Sequence, residues 1–410
     1  MPAAVPARVP WPAVMLHVVG IGADGWDVLP EPTRALVRSA EVVLGAPRQL
    51  GLLPEIANQR RTAWPSPLRE RLPGLLADLA GELDRAAVVA LASGDPLVAG
   101  IGSTLVELLG PESVTVHPAV SSVALARARL GWPAETVEVV RDPGTVVRHL
   151  APGRRILVLS QDAATPTQVA RALVGSGFGA SGFTVLADLG AATESVRRST
   201  AAAWTGDAPA LHVLAVECAG GPAHGLLAGL PDDAFESDGQ LTRRDPRAGA
   251  LARLAPLPGN LLWDIGAGAG SVAIEWLRAH PTCRAVAVER VPERAARIAR
   301  NAASLGVPAL TVVTGAAPAA LADLPAPDAV FVGGGASAPG VLDACWSALP
   351  RGGRLVAHGV TIETEAVLAR AYGERGGELV RISVEHAAPL GGLTGFAPAR
   401  TVTQWAVTKP

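Results

Sequence analysis

Short β-rich apolar runs alternate with helical patterns along almost the whole chain, and the rhythm breaks once. The first series reads LHVVGIG (16–22), EVVLGA (41–46), AAVVALASGD (86–95), SVTVHPA (113–119), RRILVLS (154–160), FTVLADL (183–189) and LHVLAVE (211–217). Helical patterns at 31–40, 100–109, 121–130 and 165–175 lie between these runs. Strands separated by helices predict a largely parallel sheet covered on both faces. The stretch AGGPAHGLLAGLPDDAFESDGQ (219–240) interrupts the rhythm with Gly, Pro and acids, so a linker is expected over 219–235. A second series follows: LLWDIG (261–266), RAVAVE (284–289), LTVVTG (310–315), DAVFVGG (328–334), GRLVAHGV (353–360), ELVRISVEH (378–386) and TVTQWAV (401–407). Helical patterns separate the first five runs but not the last two, which predicts a doubly wound sheet closing with an antiparallel hairpin. Two α/β domains are expected, 14–218 and 236–410, and each has chain enough to bury a core.

Charge excludes one class of partner. Lys and Arg number 18 against 22 Asp and Glu over 1–235, and 17 against 15 over 236–410, so neither half is a basic nucleic-acid binder in bulk. Lys409 is the only lysine, and arginine suits bidentate recognition of carboxylates and phosphates. Cys218, Cys283 and Cys345 share no metal-like spacing, and the eight histidines include no HxxxH pair. The cysteines read as reduced core residues, and no metal is expected. No apolar run is long enough to span a bilayer, and MPAAVPARVPWPAVM lacks a signal-peptide pattern, so the expected location is the cytoplasm.

Chemistry concentrates in WDIGAGAGSV (263–272). Its glycines are Gly266, Gly268 and Gly270, and Ser271 stands where a dinucleotide fingerprint has its third glycine. Asp264, two residues ahead, would repel a pyrophosphate but could meet an ammonium. Glu289 ends the next strand, where an acid can accept hydrogen bonds from a ribose diol. Ammonium and ribose without phosphate describe S-adenosylmethionine (SAM). The competing readings are a packing turn and an NAD-type site.

The flanks LLWDIGAGAGSVAIEW, AVERVPERAARIARNAASLGV, GAAPAALADLPAPDAVFVGGG and GGRLVAHGVTIETE, with DGQLTRRDPRAGAL upstream, resemble the CbiT-type decarboxylating precorrin methyltransferase domain over roughly 236–410. That resemblance implies a class I, Rossmann-like methyltransferase fold. It places Asp264, Gly266, Gly268 and Gly270 at the amino-acid end of SAM, Glu289 at the ribose, and Ala316 and Ala317 by the adenine. Arg243-Arg244-Asp245 replaces a common Lys-Arg-Glu, and His358 replaces a common Asn.

VVGIGADGWD (18–27), LASGDPLVAGIG (91–102) and PAVSSVALARARLGW (118–132) resemble the CbiE-type tetrapyrrole methylase fold, with its two α/β subdomains, over about 14–218. By that resemblance Gly94, Asp95 and Pro96, then Ile101 and Gly102, then Ser121 and Ser122, contact a second SAM. Read from the residues alone, Gly94–Pro96 could also be an ordinary turn with Asp95 capping the next helix. Val98-Ala99 and Asp142-Pro143 depart from the family pattern where a tetrapyrrole would touch.

The fusion resembles the CobL family of precorrin-6B (precorrin-6Y) C5,15-methyltransferases. That implies methylation at C5 by the N-terminal domain, and methylation at C15 with loss of CO2 from the C12 acetate by the C-terminal one. The product would be precorrin-8, in cobalamin biosynthesis. One SAM per domain and a homo-oligomer are also implied. No acid or base is singled out, because methyl transfer from a sulfonium depends mainly on positioning. Arg243, Arg244 and Arg247 are candidates for a cationic entrance to a carboxylate-rich substrate; the other reading is a solvated linker helix. Action on another tetrapyrrole or a nucleic acid, a non-catalytic binding module, and a dehydrogenase are the alternatives.

Overall fold

The structure, a computed structural model, describes residues 8–11, 15–82 and 87–410. The expected domain start at 14, the first residue of the 86–95 run and most of the Pro-rich tail lie outside the described residues. The chain forms two compact units, Met1–Val146 with Ala151–Gly221 and Val147–Leu150 with Pro222–Pro410.

The N-terminal unit carries two sheets. The first joins β1 (Leu16–Ile21), β2 (Val42–Gly45), β3 (Arg60–Ala63), β4 (Val88–Ser93) and β5 (Val114–His117) in the order β3-β2-β4-β1-β5. All its pairings are parallel. The inner strands β1, β2 and β4 are apolar on both faces because both are covered, while the edge strand β3 is polar and partly exposed. Leu16, Val18, Leu44 and Ala90 pack with Leu72, Leu76 and Leu105, while Val19, Ile21, Val43 and Leu91 pack with Leu29 and Val37 on the opposite side.

The second sheet joins β6 (Val137–Val140), β7 (Arg155–Leu159), β8 (Gly182–Ala187), β9 (Ser195–Thr200) and β10 (His212–Glu217) in the order β6-β7-β10-β8-β9. Here the expectation of largely parallel strands is corrected. Only β6–β7 is parallel; β7–β10, β10–β8 and β8–β9 are antiparallel. The loop from β8 to β9 is too short for a crossover helix, so β9 folds straight back.

The C-terminal unit holds β11 (Leu261–Ile265), β12 (Arg284–Glu289), β13 (Thr311–Thr314), β14 (Ala329–Val332), β15 (Arg354–Gly359) and β16 (Glu378–Ile382), then β17 (Glu385–Leu390), β18 (Leu393–Pro398) and β19 (Val402–Thr408). Its main sheet runs β13-β12-β11-β14-β15-β19-β16. The first five strands in that order are parallel, and β19 is antiparallel to both neighbours. The β17–β18 pair forms a separate hairpin inserted between the last two strands. Strand alternation sends Leu262 and Phe331 toward Val272, Trp276 and Leu251 on one face, and Leu261, Trp263 and Ile265 toward Val341, Cys345 and Leu368 on the other.

The expected linker is partly structure. Leu230 and Phe235 sit in the core of the C-terminal unit, and the Gly229 and Leu230 N–H groups donate to Glu275 at 2.6 and 3.0 Å. All three cysteines are free and buried. No helix among the described residues is long and apolar enough to cross a membrane.

Candidate functional site

In the C-terminal unit the chain leaves β11 into the glycine loop and enters the helix Ser271–Ala279. Gly266, Gly268 and Gly270 all take positive φ, a region open mainly to glycine. An added Cβ would lie 2.6 Å from the Gly334 carbonyl oxygen at Gly266 and 2.6 Å from the Gln240 carbonyl oxygen at Gly268. The segment ahead of the helix Arg244–Leu254 thus lies directly on the loop.

Glu289, at the end of β12, is 4% exposed. Its carboxylate accepts the Gly268 N–H at 2.9 Å and the Val291 N–H at 3.0 Å. The acid and the glycine loop therefore hold each other in place. Both line a cavity of about 1320 Å³ at the carboxyl edge of the sheet, with Ala316, Ala317 and Gly333–Gly335. Open α/β sheets hold their ligands at this edge.

Asp264 sits elsewhere. The period of two along β11 turns it, with Leu262, toward the helix Ser271–Ala279, and it is absent from the cavity wall. Its Oδ2 accepts the Ala273 N–H at 3.0 Å, while Oδ1 is buried without a hydrogen-bond partner. Burial, with some repulsion from Glu289, raises its carboxyl to about 7. A buried carboxyl beneath the loop with one oxygen short of a partner can answer a positive charge bound above it.

The expected arginines separate. Arg244 lies on the cavity wall with an exposed side chain. Arg243 also lines it but reaches Asp232 at 3.5 Å. Arg247 corrects the expectation: its side chain is wholly buried. It donates to Glu275 at 2.6 Å, to Asp232 at 3.1 Å and to the Leu230 carbonyl, and stacks 4.9 Å from the Phe235 ring. It pins the 230–247 segment, also donating to the Thr242 carbonyl, and does not line the cavity. Arg290, Arg400 and His386 line the cavity without having been singled out. Arg290 follows Glu289 directly, a hint within the sequence; Arg400 and His386 reach the wall only through the β17–β18 insertion.

In the N-terminal unit the expected residues gather where β1, β4 and β5 end. An added Cβ at Gly20 would collide with the Gly94 carbonyl oxygen and lie 2.8 Å from the Ala119 nitrogen. Only glycine lets these three strand ends converge, a demand on Gly20 that its motif VVGIGADGWD does not by itself disclose. Gly94 in turn lies against Val120, Ser121 and Ser122. The Asp95 carboxylate accepts the Leu97 N–H at 2.9 Å, bracing the turn. Pro96 packs against Gly102 at the start of the helix Ile101–Leu109. Ser121 caps the helix Ser122–Leu130 by accepting the Ala124 N–H at 3.1 Å. At the departures, Val98 is exposed, Ala99 takes a positive φ of 52°, and Asp142 accepts the Gly144 N–H at 2.9 Å within its own turn.

The strand order of the C-terminal sheet, its glycine loop and the acid after the second strand define a class I methyltransferase fold. A family described as "Precorrin methyltransferase domain" matches residues 233–409, and one described as "Tetrapyrrole (Corrin/Porphyrin) Methylases" matches 15–204. A Sinorhizobium protein named precorrin-6Y C(5,15)-methyltransferase [decarboxylating] is 47% identical over 98% of this chain and 97% of its own. A Salmonella typhimurium cobalt-precorrin-7 C(5)-methyltransferase is 32% identical over 40% of this chain and 80% of its own. A Pyrobaculum calidifontis protein, named a probable cobalt-precorrin-6B C(15)-methyltransferase (decarboxylating), is 37% identical over 36% of this chain and 78% of its own. The chain belongs to the family of decarboxylating precorrin-6Y C(5,15)-methyltransferases.

Proposed function

We propose that this enzyme methylates precorrin-6B (precorrin-6Y) at C5 and C15 and removes CO2 from the C12 acetate, giving precorrin-8 in cobalamin biosynthesis. The observation that carries this reading is the near full-length match at 47% identity to a relative named for both methylations and the decarboxylation. That separate relatives are named for a C(5) and for a decarboxylating C(15) methyltransferase supports dividing the work between domains. We assign C5 to 14–218, and C15 with the decarboxylation to 236–410 and the packed residues ahead of it.

One SAM per domain supplies an activated methyl group on a sulfonium. The surrounding residues bind and orient. In the C-terminal domain the Gly266–Gly270 loop offers close backbone approach, Glu289 faces the ribose diol, and Ala316 and Ala317 leave room for a flat base. Asp264, its carboxyl raised to about 7 below the loop, gives up its proton more readily when the sulfonium and ammonium of SAM lie above it. In the N-terminal domain, Gly94–Pro96, Ile101, Gly102, Ser121 and Ser122 form the corresponding grip through turns and helix starts.

The acceptor is an enamine-like meso carbon, so neither a protein nucleophile nor a metal is needed; holding it in line with the C–S bond supplies most of the rate gain. Electrons left by CO2 are taken up by the macrocycle itself, and the protein contributes orientation and electrostatics. Arg244, Arg290 and Arg400 meet the substrate's carboxylates. The reading places a homo-oligomer in the cytoplasm, with no nucleic-acid partner. Incubation of the reduced precorrin with SAM, followed by mass spectrometry, tests it. Two methyl groups gained and one CO2 lost is the expected product; methylation without decarboxylation refutes the reading.

A further inference from the structure

His358 lies at the end of β15 on the cavity wall. It is 7% exposed, and its ring meets Phe331 edge-on at 5.0 Å between centroids. One ring nitrogen is engaged: Nε2 is 2.9 Å from the Gln404 amide on β19. Gln404 is fully buried, and its other amide atom faces Arg253, 3.1 Å from Nε and 3.3 Å from Nη1. Arg253 is fixed in turn by Glu378 of β16, through Nε and Nη2 at 2.6 and 2.8 Å.

The chemistry of this row sets its polarity. A guanidinium only donates, so the Gln404 atom facing Arg253 must be the carbonyl oxygen. The amide nitrogen then faces His358 and donates to Nε2. Nε2 therefore accepts, and the proton of the neutral ring resides on Nδ1. Burial, helped by the positive charge of Arg253, lowers the imidazole to about 4, which keeps it neutral. Nδ1 has no partner among the described residues and is not among the buried unpartnered atoms, and the residue borders the cavity. The basic nitrogen points inward and the N–H outward.

We propose that His358 is a tautomer-locked hydrogen-bond donor of the C-terminal site, offering Nδ1–H to a side-chain carboxylate of the tetrapyrrole, with Gln404 and Arg253 as positioning residues behind it. The assignment rests on the function proposed above. It excludes His358 as a general base, because its lone pair is held away from the substrate by Gln404. The leaving carboxylate is not its partner, since a hydrogen bond there would hold back CO2 loss. The donor orients another carboxylate of the same macrocycle.

Two measurements on the full chain test this. Long-range nitrogen–proton NMR of the free enzyme, with His358 assigned by its loss in His358→Asn, reads the tautomer directly. The Nδ1–H form is expected, and the Nε2–H form overturns the lock whatever the substrate is. The second measurement is the KM for the precorrin in C15 methylation, with SAM affinity alongside. His358→Phe is expected to raise KM about ten- to hundred-fold, the scale of one hydrogen bond to a charged group. His358→Asn, whose amide reaches the position of Nδ1, recovers most of that loss.

Gln404→Glu keeps the shape but reverses the row. Its carboxylate accepts from Arg253 and from Nε2–H, so Nδ1 turns a lone pair to the cavity until the ring is protonated. Arg253 and Glu378 flank this row, and Arg400 and His386 also line the cavity; all are retained in the variant. The ratio of variant to wild-type KM should therefore rise as pH climbs through the imidazole range and fall back at lower pH. A KM unchanged in His358→Phe, or a flat ratio in Gln404→Glu, overturns the contact. Absence of C15 methylation in the wild type refutes the functional reading instead, while the NMR result still decides the tautomer.

Discussion

Gly268→Ala separates the two proposed donor sites in one step. The residue sits at φ 60°, where a side chain costs about 1–2 kcal/mol. Its new Cβ would lie 2.6 Å from the Gln240 carbonyl oxygen, so either the loop or the 239–242 segment must move. Overpacking of this kind typically costs about 1–3 kcal/mol. Loop movement also disturbs the 2.9 Å hydrogen bond from the Gly268 N–H to Glu289. The sum is about 2–5 kcal/mol. If that falls on the liganded state, SAM affinity at the C-terminal site drops by about thirty-fold or more. Calorimetric titration with S-adenosylhomocysteine should show two sites in the wild type and one in the variant. C15 methylation and decarboxylation should fall together at limiting SAM. Gly373→Ala is the control: an added Cβ there meets nothing within 4 Å, and the residue lies inside the helix Ile362–Arg375. It should leave both sites intact. Wild-type affinity at two sites in Gly268→Ala would refute the reasoning.

Four further outcomes follow from the same geometry. Arg244→Ala should raise the KM for the tetrapyrrole without changing SAM affinity, whereas Arg247→Ala should lower stability by about 3–5 kcal/mol by stranding Glu275, as read by denaturant unfolding of the C-terminal unit. Asp264 titrates near 7 when folded, above its unfolded value near 4, so the native state holds a proton the unfolded state lacks between those pH values. Stability should fall as pH rises across that window, and Asp264→Asn should flatten the dependence in a series of melting temperatures. The Cys345 thiol, pushed up to about 12 by burial, should resist alkylation in the native protein at neutral pH, as intact-mass measurement can check.

The sequence was most informative where burial is two-sided. The apolar runs at β1, β4, β11 and β14 announce themselves because both faces are covered. Strand β3, RRTA, and strand β9, SVRRST, were missed because their residues are largely exposed and polar, leaving no period to read. The β17–β18 hairpin was missed for the same reason, with Pro389 and Pro398 arguing against strands. The glycine loop and Glu289 were legible because positive φ and close approach demand particular residues at particular spacings. Arg247 was not. Its motif, RRDPR, gives three arginines equal standing, and only helix phase and the distant Glu275 bury one and leave another on the cavity wall. The polarity of the Arg253–Gln404–His358 row was likewise beyond sequence, since it joins a helix and two strands across the sheet.

The central claim is that one chain carries two separately working methyl-donor sites. Asp95→Ala, which removes the brace on the N-terminal turn, tests it most directly when the variant is supplied with SAM bearing a 13C-methyl group and the product is examined by NMR. The account predicts a product labelled at C15, decarboxylated, and unlabelled at C5. Label at both carbons in wild-type proportion, or at neither, would contradict it.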